Sequence, residues 1–111
     1  MLKDVTDEGL EARVTEAEGL VAVGFLDYGS IPCDHFRPEL AAVAELLEGK
    51  IEFYRLDVSE NPTITDELGV QAVPTLLVFR DGEEIARYEG PYSREALNDR
   101  LTGLLAGKKP G

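Results

Sequence analysis

Apolar positions along this chain change period several times, and each change marks an element. After a short apolar opening around Leu2 and Val5, Leu10, Val14 and Ala17 recur at spacings of four and three. Thr6 or Asp7 can cap the helix this predicts, and Gly19 stops it. LVAVGFL, residues 20–26, is almost purely apolar and too short for a long helix. It predicts a strand buried on both faces, central in a sheet. From Cys33 the period is helical again, with Phe36, Leu40, Val43, Ala44 and Leu47 on one stripe and Gly49 as the stop. Pro38 falls inside that stripe and is expected to kink the helix, because it has no N–H and its ring crowds the preceding turn.

KIEFYRLDV then sets Ile51, Phe53 and Arg55 against Glu52, Tyr54 and Leu56, the alternation of a strand. Asn61 and Pro62 form a cap and first-turn pair for a short helix over 63–68, closed by Gly69. TLLVFR, the Asp81-Gly82 turn and EEIARYE predict an antiparallel hairpin, since Asp-Gly readily takes the positive φ angles of a tight turn. Gly90 and Pro91 break the chain. Ser93 caps a last helix with Ala96, Leu97, Leu101, Leu104 and Leu105 on its inner side, and residues 106–111 read as a flexible tail. Helix crossovers require parallel neighbours and the hairpin adds antiparallel ones. The fold class is therefore α/β, a mixed central sheet of about five strands with about four helices on both faces.

Composition narrows the functional classes. The chain has 111 residues with no tracts or repeats, which fits one globular domain over 1–111. Its 22 acidic against 11 basic residues give a formal net charge of -11, which repels a phosphate backbone or an anionic membrane surface. Neither nucleic acid nor membrane is expected as a partner. The acids are dispersed, so they read first as a solvated face, with a preference for basic partners as the alternative. MLKDVTDEGLEARV carries acids where a signal peptide has an apolar core, and no apolar run approaches the roughly 18 to 20 residues that span a bilayer. A cytoplasmic location is expected. Cys33 is the only cysteine, which excludes an internal disulfide and any zinc site needing two thiolates.

YGSIPCDHF, residues 28–36, directly follows the apolar run of the predicted central strand. With Pro32, Cys33 and Pro38 at the matching places, it resembles the active-site segment of the thioredoxin family. VQAVPTLLVFRDGEEI, residues 70–85, is similar to that family's segment in which a cis-proline precedes a strand and a glycine turn. RLDVSENP, residues 55–62, and Gly90 also match, so the resemblance runs from about Val5 to Leu105. It implies the thioredoxin fold and a cis Val73–Pro74 bond. It also implies a dithiol site, in which a first cysteine attacks a substrate disulfide and a second resolves the mixed disulfide. Here the first position is Ser30. Disulfide exchange needs a thiolate, and an alcohol neither ionises comparably nor forms an S–S bond. Gly24 stands where the family commonly has a buried acid, Gly29 where it has tryptophan, and Ile31 where it has glycine.

Ser30 is also placed to accept a backbone N–H as a helix N-cap. Cys33 falls in the first helical turn, where unpaired N–H groups favour an anion, while Asp34 beside it and burial oppose one. The family's second cysteine is shielded behind the first, so a buried, slow thiol is expected. His35, two residues from Cys33, lies on another helical face, which argues against a Cys-His pair or a metal site. No phosphate loop is present, and no cofactor is expected.

The resemblance further implies a shallow apolar surface formed by Gly29, Ile31, Pro32, Val73, Pro74 and Gly90, with Tyr28 and Tyr92 beside it. A monomer is expected to bind a polypeptide or partner protein there, without ordinary dithiol turnover. The backbone of Val73 would pair with it by strand addition. The alternative is a redox protein acting through Cys33 alone, by mixed disulfide or a disulfide-linked dimer, or a serine variant of an active thioredoxin.

Overall fold

The seven residues LVAVGFL alternate sides in an extended chain, so an apolar run of this kind needs a core on each face. The computed structural model, which describes residues 2–108, supplies both. The strands are β1 (Leu2–Asp4), β2 (Leu20–Leu26), β3 (Ile51–Asp57), β4 (Thr75–Arg80) and β5 (Glu83–Glu89). They form one sheet in the order β1-β3-β2-β4-β5. β3 runs parallel to both β1 and β2, whereas β4 is antiparallel to β2 and β5 to β4. The helices are α1 (Asp7–Glu16), α2 (Ile31–Leu46), α3 (Pro62–Glu67) and α4 (Arg94–Leu105). This is the thioredoxin fold, with β2 central as its sequence predicts.

One core lies beneath α2 and α4. It holds Leu20, Ala22 and Leu26 of β2 with Cys33, Phe36, Leu40, Val43, Leu97, Leu101 and Leu104. The other lies beneath α1 and α3, where Val21, Val23 and Phe25 of β2 meet Leu10, Val14, Tyr54, Leu56 and Phe79. β3 therefore differs from its expected one-sided alternation. Tyr54 and Leu56 are buried as fully as Ile51 and Phe53, and only Glu52, Arg55 and the terminal Asp57 break the pattern. The Tyr54 ring enters the second core while its hydroxyl donates to Glu52 at 3.1 Å. Burial and that neighbouring carboxylate push the phenol upward from its ordinary value. Arg55 turns out to Asp4, and its guanidinium hydrogen bond holds that carboxyl below the usual range.

Turns and helix ends follow their residues with some exchanges. Asp81 and Gly82 take φ of 53° and 83°, as the Asp-Gly turn predicts, and a bulge lies opposite Val78 and Phe79. Ser93 caps α4 by accepting from the Ala96 N–H at 3.1 Å. Leu105, expected on the inner side of α4, is instead 38% exposed, because it lies to one side of the face that buries Leu97, Leu101 and Leu104. Backbone hydrogen bonds from Gly107 and Lys108 to Leu104 and Gly103 close α4 in a Schellman motif. The predicted tail beyond Lys108 lies outside the described residues. Arg80 donates to Leu104 O, and Arg87 to Leu68 O and Gly69 O, so each arginine satisfies carbonyls at the end of a helix.

The caps of α1 and α3 are shared between the two helices. Thr6 stands at the N-cap of α1 and Asn61 at that of α3, yet neither side chain caps its own helix. Asn61 Oδ1 accepts from the Asp7 N–H, and Asp7 Oδ1 accepts from the Ile64 N–H, both at 2.9 Å. The Asn61 amide also donates to Asp57 O at 3.0 Å. Since α3 has no fully buried residue, these polar bonds carry much of its placement. Asn61→Ala leaves the Asp7 N–H and Asp57 carbonyl without these partners in a buried corner. It is expected to lower unfolding free energy by about 1–3 kcal/mol, measured by urea denaturation. A loss within error of zero would show that water replaces these bonds at no cost.

Candidate functional site

The end of the sheet where β2 and β3 finish and β4 begins gathers the segments implicated by sequence. Leu26 lies opposite Asp57, Phe25 opposite Thr75, and Thr75 opposite Glu89. The chain leaving β2 turns through Asp27, Tyr28 and Gly29 to Ser30, the N-cap of α2. The helix starts at Ile31, two residues earlier than the apolar stripe suggests, because Pro32 suits a first-turn position. It continues through Pro38 to Leu46. Ser30 Oγ accepts from the Cys33 N–H at 3.4 Å, a long hydrogen bond, and Ser30 N–H donates to Asp27 O at 3.1 Å.

Cys33 has no exposed surface. Its Sγ lies in the α2–α4 core and accepts from the Asp27 N–H at 3.4 Å. The thiol is thus enclosed by packing and by the loop that would have to open for a disulfide to reach it. His35 is exposed on the same turn. Among the described residues, no group of three or more His, Cys, Asp or Glu side chains is placed to hold a metal ion.

The remaining site residues divide between surface and support. Ile31 is 71% exposed and Pro32 is also exposed, whereas Val73 is half-buried against the α2–α4 core. The Val73–Pro74 bond is cis. Pro74 is buried, so it positions Val73 rather than offering its own ring as surface. Its carbonyl accepts from the Gly90 N–H at 2.8 Å, which joins the loop after β5 to the loop before β4. Gly90 has φ of 104°, a conformation that requires glycine. Gly29 is different: a Cβ there would meet only Asp27 Oδ1, at 3.9 Å, so its backbone has room for a side chain. Tyr92, expected to widen the apolar surface, is half-buried and packs on Tyr88 with ring centroids 5.6 Å apart.

Val73 has a further property. Among the described residues, neither its N–H nor its carbonyl takes part in the backbone hydrogen bonds of the loops, and β4 pairing begins only at Thr75. The exposed Ile31 and this Val73 backbone lie at the same end of the sheet, at the start of α2 and just before β4.

Two features were not found by sequence reasoning. The first is Arg37. Its guanidinium forms an ion pair with Asp34, donates to Asp27 O at 3.3 Å, and lies 4.3 Å above the Tyr28 ring. The i, i+3 spacing of Asp34 and Arg37 is the only signal of this in the sequence. Arg37 thereby ties the motif loop to α2 and holds Tyr28, which remains 55% exposed. The second is Leu40. A Cβ at Gly24 would sit 2.7 Å from Leu40 Cδ2, so the Leu40 side chain occupies the space that a side chain at position 24 would enter. Arg94 links α4 to α2 through Glu39, at 2.8 Å from its guanidinium and 3.0 Å from its backbone N–H. Those hydrogen bonds hold the Glu39 carboxyl below its usual range. Their contribution is present above the ordinary glutamate value and is lost as pH falls through the lowered one.

A fold of this connectivity, with a motif segment starting α2 and a cis-proline before β4, defines a thioredoxin-type domain. The thioredoxin family profile matches residues 1–103, and the chain belongs to that family. It is 29% identical over 99 residues to thioredoxin of Rickettsia felis, covering 89% of this chain and 94% of that protein. It is 33% identical over 98 residues to protein disulfide-isomerase A3 of Gallus gallus, covering 88% of this chain but only 19% of the isomerase. Among the described residues, no helix is long and apolar enough to cross a membrane.

Two outcomes follow from the local geometry. Ser30→Ala is expected to cost about 0.5–1 kcal/mol of stability and Ser30→Gly only a few tenths, in chemical denaturation. Equal stability of all three proteins would remove the cap as a reason for serine. Gly24→Ala is expected to cost about 1–3 kcal/mol through overpacking. Combined with Leu40→Ala, it should cost less than the sum of the two single changes. Strict additivity would show that Leu40 moves aside freely.

Proposed function

We propose that this protein binds an extended polypeptide or a partner protein through the corner formed by Ile31, Pro32 and Val73, with little or no dithiol turnover. The observation that carries this reading is that, at one end of the sheet, Ile31 is exposed and the Val73 backbone has no hydrogen-bond partner among the described residues. An extended segment laid along residues 73–74 satisfies those groups, while its side chains meet Ile31 and the open face of Tyr28. Thioredoxin-family proteins commonly interact with protein substrates, so the reading keeps the family's kind of partner and removes one chemical step. The step removed is the attack on sulfur, because Ser30 is an alcohol and the single thiol, at Cys33, has no exposed surface.

The alternative, exchange through Cys33 alone, requires the loop to open. Sγ is covered by core side chains and bonded to the Asp27 N–H. That enclosure favours the binding reading.

In an insulin-reduction assay with dithiothreitol, the protein is expected to add nothing to the rate of dithiothreitol alone. A rate matching that of an ordinary thioredoxin would overturn the proposal. Intact mass after incubation with oxidised glutathione is expected to stay unchanged for the native protein and to gain one adduct in denaturant. An adduct or a disulfide-linked dimer under native conditions would favour the Cys33 reading instead.

A further inference from the structure

We propose that the polypeptide taken at this corner is basic: an extended segment with an apolar side chain flanked by lysine or arginine. This rests on the binding reading above and adds the chemical class of the partner. The feature that receives it is the apolar strip of Tyr28, Ile31 and Val73, and the charge around that strip decides the occupant.

Four carboxylates lie in separate segments at the same end of the sheet as the strip. Asp27 follows β2, Asp57 ends β3 opposite Leu26, Glu60 follows in the loop to α3, and Glu89 ends β5 opposite Thr75. Two of them are held in place by their own loops. Asp27 Oδ1 accepts from the Gly29 N–H at 3.2 Å, and Asp57 Oδ1 from the Ser59 N–H at 3.0 Å and its hydroxyl at 2.8 Å. Among the described residues, none of the four forms a salt bridge.

The arginines at this end are already engaged. Arg37 pairs with Asp34, Arg55 with Asp4, and Arg94 with Glu39. Arg87, on the strand that Glu89 ends, pairs with Glu84 and also feels the Glu89 carboxylate, and His35 is exposed. This end of the sheet thus carries four carboxylates outside salt bridges, together with the exposed Ile31 and Tyr28 and the Val73 backbone. Positive flanking residues gain Coulomb energy there, and a second copy of this chain, also at a net charge of -11, is disfavoured.

The test compares two short fluorescein-labelled peptides, one of alternating valine and lysine and one of alternating valine and glutamate, by fluorescence anisotropy on the full chain. The lysine peptide is expected to bind at least about tenfold more tightly at low salt, with the gap narrowing as salt is added. Glu60→Lys/Glu89→Lys should remove that preference, and Ile31→Ser should weaken the lysine peptide's binding. If the two peptides bind equally and Ile31→Ser weakens both, the basic preference is wrong while the binding corner stands. Should the preference survive Glu60→Lys/Glu89→Lys, it belongs to overall charge rather than to this corner, and the inference falls. If neither peptide binds, or Ile31→Ser changes nothing, the binding reading falls with it.

Discussion

Strand β2 has no side facing water, and the rest of the structure is arranged around that constraint. Its odd and even residues enter different cores, so neither face can form without a helical layer against it. Full burial of an aliphatic or aromatic side chain contributes about 1.5–3 kcal/mol, whereas one capping bond contributes about 1. The two cores therefore determine where α1, α2 and α4 lie, and polar bonds adjust their ends. Because β2 stops at Leu26 and α2 must return over the same face, the connecting turn falls at the edge of the α2–α4 core. Cys33 is consequently drawn into the core from the first helical turn, while Ile31, two residues earlier, remains outside.

The same constraint separates support from surface at the candidate site. Pro74, Gly90 and Arg37 have internal partners and hold the loops together. Ile31 is left exposed, and the backbone of Val73 has no hydrogen-bond partner among the described residues. The usual reading of a cysteine at this place in a thioredoxin-type sequence is chemical. Here packing and the Asp27 N–H assign it to the interior, and the neighbouring loops supply the accessible part.

Much of this was legible in the sequence where one period dominates. LVAVGFL announces a doubly buried strand, the stripe from Phe36 to Leu47 announces α2, and Asp81-Gly82 announces the hairpin. Elsewhere a local pattern was overruled by tertiary structure. Tyr54 looks like the polar side of an alternating strand, because its hydroxyl conceals how much of its ring can be buried. The exchanged caps of Asp7 and Asn61 join residues 54 and 57 positions apart, so no window along the chain contains them. At the site, the motif located Ser30, Cys33, Val73, Pro74 and Gly90. It could not show that Pro74 is buried, that Tyr92 packs on Tyr88, or that Arg37 serves three partners, because those outcomes depend on side-chain direction across a helix–sheet interface.

Leu40 and Gly24 have a consequence for how this sequence can change over time. A serine and a cysteine differ by one atom, so position 30 can take either residue with little steric effect. Position 24 is different, because a side chain there would meet the end of Leu40, which would have to move. A larger residue at 24 is better tolerated once residue 40 shrinks, and a smaller residue at 40 leaves a void until 24 grows. The two positions are therefore coupled: what can stand at one depends on what stands at the other.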